Sequence, residues 1–110
     1  MPRAKVKTES YREDLIESLK TPEAAAQYLT ACLEDGDPRV FLLALRDVAD
    51  ASGGIRALSR DSNLNRESLY RMLSKSGNPS LDSLAAVLKA FGLRLSVQSA
   101  VRPTRKRRIA

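Results

Sequence analysis

The 110-residue sequence has no histidine, no tryptophan and a single cysteine, Cys32. Without histidine or a second thiol, a zinc site lacks its usual ligands and no internal disulfide can close. One thiol fits a reducing compartment. No Cys, Ser or Lys has a recognisable base beside it and no Gly-rich nucleotide loop occurs, so the usual catalytic constellations are missing. No enzyme, cofactor or metal site is expected. There is no secretory apolar region after Met1 and no run of membrane-spanning length, so the expectation is a soluble, cytoplasmic chain with no membrane partner. The length fits one domain, large enough to fold on its own apolar core.

Charge is present in excess, and its distribution says more than its total. The formal net charge is +6, but residues 1–8 carry +3, residues 9–50 carry −6, residues 51–100 carry +4 and residues 101–110 carry +5. Nucleic-acid binding alone has no use for the acidic half. Two surfaces with two kinds of partner are expected, although an acidic helical half also serves plain solubility.

Gly53 to Ser74, GGIRALSRDSNLNRESLYRMLS, organises the rest. Ile55, Leu58 and Ser62 share one helical face, and Leu69, Met72 and Leu73 share another after a three-residue break. In that break Asn63 suits the left-handed conformation of a tight turn, Leu64 plugs the corner and Asn65 caps the next helix. Ser68 stands where a full capping box has Glu or Gln, while Glu67 suits the positive helix end. This is a helix-turn-helix pattern. A second helix that enters a DNA major groove reads bases from its N-terminal end and outer face, which here carry Arg66, Glu67, Ser68 and Arg71. Arg can hold guanine bidentately, Glu can accept from cytosine and Ser can bond either edge. Arg56, Asn65, Tyr70 and Lys75 flank that face and are candidates for phosphates. Gly54, at the start of the first helix, lets backbone N–H groups approach a phosphate, though the Gly53-Gly54 pair equally well ends the preceding helix.

Upstream, Met1 to Ser10 is polar and basic without apolar periodicity, which predicts a mobile arm. Tyr11, Leu15, Ile16 and Leu19 have helical spacing. Thr21-Pro22-Glu23 is a helix start, and the helix to about Asp35 carries the stripe Ala25, Tyr28, Leu29, Cys32 and Leu33. Cys32 therefore reads as a packed small hydrophobe. Gly36 stops this helix, Asp37 and Pro38 open the next, and Phe41, Leu42, Leu45, Val48 and Ala49 give the central helix a broad apolar face. Downstream, Ser76-Gly77-Asn78-Pro79 is a turn, and Ser80 caps a helix whose buried face is Leu81, Leu84, Ala85, Leu88 and Phe91. Gly92 ends it. Leu93, Leu95 and Val97 alternate with polar residues, predicting a half-buried strand over 93–98 that pairs with its copy in a homodimer. The tail 101–110, with Arg105-Lys106-Arg107-Arg108, is expected to be disordered.

ALSRDSNLNRESLYRMLSKSGNPSLDSLAAVLKAFGLRL closely resembles the phage-repressor-like (Xre/Cro-type) helix-turn-helix of addiction-module antidotes, the HigA-type antitoxins. The resemblance covers Tyr11 to Val97. It departs at Ser59, where the motif usually has Ala, and at Asn63, where it usually has Gly. The resemblance implies an all-α, lambda-repressor-like bundle with an N-terminal helical extension, in a bacterial or phage-derived setting where it joins the nucleoid when bound to DNA. It also implies a circuit: a dimer that binds double-stranded operator DNA, represses its own operon and neutralises a basic toxin of the RelE/HigB superfamily. The acidic half is the surface expected to meet that toxin, with Glu13, Asp14, Glu17, Glu23, Glu34 and Asp35 as contacts. A stand-alone repressor without a toxin is the alternative.

Overall fold

The computed structural model describes residues 2–100, with side chains from Ser10 onward. Among these residues there are six α-helices and no strand: α1 Pro2–Ser18, α2 Pro22–Glu34, α3 Pro38–Ala51, α4 Gly54–Ser62, α5 Arg66–Met72 and α6 Leu81–Ala90. The all-α expectation holds. None of these helices is long and apolar enough to cross a membrane.

Local chemistry fixes most helix starts. Thr21 Oγ1 accepts from the Ala24 N–H at 3.1 Å, Asp37 Oδ1 from Arg39 N–H at 3.0 Å and Ser80 Oγ from Ser83 N–H at 3.1 Å. Pro22 and Pro38 occupy first-turn positions, where the missing N–H costs nothing. α1 departs from expectation. It begins at Pro2 rather than near Tyr11, so helical backbone runs through the segment read as an arm. Apolar periodicity was the wrong guide there: Ala and Lys favour helix, and a helix already nucleated on the body lengthens by one hydrogen bond per residue. Met1 and the basic tail 101–110 lie outside the described residues.

α3 is the central helix. Phe41, Leu42, Ala44, Leu45, Val48 and Ala49 are buried on it, Leu45 completely, and they meet Ala25 and Leu29 of α2, Ile55 and Leu58 of α4, and Leu69, Met72 and Leu73 around α5. Leu19 closes the core at the end of α1. Two expected faces are turned. On α6 the packed stripe is Leu84, Val87, Leu88 and Phe91, while Leu81 is 70% exposed and Ala85 is exposed. The observed stripe keeps the i, i+3, i+4, i+7 spacing but is rotated toward the fully buried Val87, while Leu81 lies in the first turn and faces solvent. Leu33 is likewise 57% exposed at the end of α2.

In the single chain the C-terminal segment differs from the expected strand. Residues 93–98 form no strand among the described residues, since a ladder needs a partner and a single chain offers none. Instead the Leu93 N–H bonds the Leu88 carbonyl at 2.8 Å and the Gly92 N–H bonds Lys89 at 2.9 Å. That is a Schellman cap, with Gly92 at φ 82° and Leu93 packed on the core. Leu93 is thus used by its own chain, whereas Leu95 and Val97 remain exposed.

Candidate nucleic-acid interface

The turn between α4 and α5 is built as its sequence dictates. Asn63 is the one non-glycine residue with positive φ among those described, at 67°, and its N–H closes on the Ser59 carbonyl at 3.0 Å. Asn tolerates this left-handed geometry better than other side chains. Leu64 is half-buried against the core, and Asn65 Oδ1 accepts from the Ser68 N–H at 2.7 Å, completing the N-cap of α5. Ser59 adds a bond that the sequence pattern did not disclose. Its hydroxyl donates to the Leu64 carbonyl at 2.6 Å, so the side chain that departs from the usual Ala ties α4 to the turn. Ser59→Ala is expected to cost about 1 kcal/mol by leaving that half-buried carbonyl unpaired. Urea denaturation should show a lower midpoint with an unchanged slope.

With Leu69 and Leu73 almost fully buried and Met72 close behind, α5 is held by one side. Arg66, Glu67 and Arg71 are exposed on the other. Ser68 is half-buried at the flank. Together with Arg71 it lines a cleft whose other polar side chains are Ser74, Ser76, Asn78, Ser80 and Ser83. Among the residues expected at phosphates, Arg56, Asn65, Tyr70 and Lys75 are exposed and Gly54 is half-buried. Asn65 has its amide oxygen committed to the cap, which leaves its NH2 to donate outward.

The expected acidic contacts are all exposed, but they do not form one patch. Glu13, Asp14 and Glu17 lie on the second half of α1, Glu23 starts α2, and Glu34 and Asp35 finish it. Eleven residues of helix separate Glu23 from Glu34, about 16 Å at 1.5 Å per residue. Glu13 and Glu17 border a cleft with Arg12, Ile16 and Asp50. In that cleft Arg12 bridges α1 to α3, donating to Asp47 at 2.7 Å and to Asp50 at 2.6 Å. Asp47 also accepts from the Tyr28 hydroxyl at 2.7 Å, and burial with this carboxylate beside it pushes the Tyr28 phenol up. No local pattern announces this network, because its hydrogen bonds join residues 19 to 38 positions apart. Cys32 sits half-buried nearby, its thiol pushed up by burial, then by Asp47 and Asp35. A packed thiol is what those surroundings favour.

No solved structure matches this chain. A protein of Haemophilus influenzae described only as uncharacterized is 35% identical over 85 residues, covering 77% of this chain and 87% of that one. The sequence model of the probable addiction module antidote proteins matches residues 9–99, from the second half of α1 through the segment after α6. The chain therefore belongs to the family of probable addiction module antidote proteins, for which the implied counterpart is a toxin.

Proposed function

We propose that this protein is an antitoxin of HigA type that neutralises a basic, RelE/HigB-like toxin and represses its own operon as a dimer bound to operator DNA. The observation that carries the DNA reading is α5. A turn with Asn63 left-handed and Asn65 capping presents Arg66, Glu67 and Arg71 to solvent, while Leu69, Met72 and Leu73 anchor the opposite side. A short helix anchored on one side with arginines on the other fits a major groove. The exposed Leu95 and Val97 are the apolar surface a second copy would cover, giving the two-fold symmetry that operators mirror. The acidic ends of α1 and α2 are assigned to the toxin on charge complementarity.

Arg66→Ala and Arg71→Ala should each weaken binding to the DNA upstream of the protein's own reading frame by roughly 1 to 3 kcal/mol, with little loss on a scrambled duplex. Arg56→Ala and Lys75→Ala should instead weaken both duplexes alike and flatten the salt dependence. Fluorescence anisotropy with both duplexes separates the two patterns. Equal losses on the two duplexes for Arg66 and Arg71 would return them to the phosphate class.

A further inference from the structure

Arg46 lies in α3, outside the helix-turn-helix, yet its guanidinium carbon stands 5.2 Å from the centroid of the Tyr70 ring in α5. A cation over a tyrosine face is attracted by the ring quadrupole. The alternative partner for Arg46 is Asp50, one turn along α3, and that pairing is loose. Nε of Arg46 is 3.5 Å from Asp50 Oδ1, an ion pair too long for a good hydrogen bond, and among the described residues this buried nitrogen has no other acceptor. The other oxygen of Asp50 accounts for the gap: it accepts from Arg12 of α1 at 2.6 Å. Asp50 is drawn toward α1, and Arg46 rests on Tyr70. Both remain accessible, with the Arg46 side chain 38% and Tyr70 51% exposed.

We propose that Arg46 is a positioning residue of the DNA interface: it fixes the Tyr70 ring at the flank of the reading helix and adds its own charge to the phosphate-facing surface, while Arg12 keeps Asp50 from withdrawing it. The inference rests on the DNA-binding reading above and extends the interface to α3. A phenol attached through two rotatable bonds loses part of its gain from a nearby phosphate to the ordering of its ring, and the stacked guanidinium cuts that loss by holding the ring beforehand. Arg12 acts at one remove. When Arg12 is absent, both oxygens of Asp50 are free to close on Arg46 and compete with the ring.

The test titrates full-length protein against a labelled duplex of scrambled sequence at two salt concentrations, since a backbone contact requires no operator. Arg46→Gln should lower affinity about threefold to tenfold and reduce the salt slope by about one. Tyr70→Leu should lose affinity too, and the double variant should be no weaker than the weaker single variant, because the pair acts as a unit. Arg46→Lys should keep the salt slope but recover only part of the affinity, since an ammonium lacks the planar stacking face. Arg12→Gln should shift affinity in the same direction as Arg46→Gln. Unchanged affinity and slope for Arg46→Gln overturns the proposal, as do losses that simply multiply in the double variant. Full wild-type affinity in Arg46→Lys overturns the positioning role, and this variant carries the test if circular dichroism shows Arg46→Gln unfolded. A wild-type protein that binds neither scrambled nor upstream duplex removes the DNA reading itself, a failure distinct from the others, and this proposal with it.

Discussion

Gly77→Ala is expected to cost more than about 4 kcal/mol and to lower the melting temperature on the order of 20 °C. The turn after α5 folds back so tightly that a Cβ at Gly77 would overlap the Met72 carbonyl oxygen and lie 2.9 Å from that of Arg71. Both obstacles are backbone, so no side-chain rotation relieves the overlap. The turn itself is pinned by the Gly77 N–H, which bonds the Ser74 carbonyl at 3.0 Å. Opening it shifts the end of α5 against α6, and with it Arg71 and the polar cleft that Arg71 shares with Ser80 and Ser83. Gly92→Ala is the control. There the backbone is left-handed at φ 82°, but a Cβ would make only an ordinary 3.6 Å contact with Pro22, so the cost is the left-handed penalty alone, about 1 to 2 kcal/mol. Thermal melts of the two variants should differ clearly. Near-equal melting temperatures would mean that the turn at Gly77 opens at little cost.

That contrast marks what the sequence makes legible. Gly77 stands in a stretch easily read as a turn, but nothing local says that a Cβ there would meet carbonyls five and six residues back. Interactions within three or four residues were readable: the caps at Thr21, Asp37, Asn65 and Ser80, and the left-handed Asn63, are each decided by a side chain and its own turn. Contacts between elements were not. The rotation of α6 toward Val87 follows from where its neighbours lie, and amphipathic spacing is satisfied almost as well by the face through Leu81 and Ala85. The same holds for Arg46 on Tyr70 and for Arg12 between Asp47 and Asp50, which join helices distant in sequence. Ser59 lies between these classes. Its departure from the usual small apolar residue was visible, but its partner, the Leu64 carbonyl, becomes apparent only once the turn is closed.

Reversing Glu13, Glu17 and Glu34 to lysine is expected to slow toxin association roughly tenfold to a hundredfold at low salt, while operator affinity stays the same or rises. The three carboxylates are exposed, and two of them sit where helix electrostatics disfavours them. Glu17 lies in the last turn of α1 and Glu34 in the last turn of α2, neither turn holds a basic residue, and Asp35 follows Glu34 as the cap. Negative charge at the negative end of a helix costs a few tenths of a kcal/mol or more. Lysine at these two positions should therefore support the helices, apart from the loss of the exposed Glu17–Lys20 pair at 3.0 Å, which contributes little. At Glu17 and Glu34 a loss of toxin capture then has no source in unfolding. The effect should shrink as salt rises, because exposed charges are screened over about 10 Å at 0.1 M. DNA binding should respond in the opposite sense, since fewer anions on α1 and α2 repel phosphates less. Because Glu13 and Glu17 border one cleft and Glu34 stands at the far end of α2, the paired and single variants measured apart will show which end meets the toxin. Stopped-flow association with purified toxin, beside anisotropy on the upstream duplex, reads both quantities. Toxin association unchanged in all three variants would move the toxin to the basic half of the chain, where it would compete with DNA for α5.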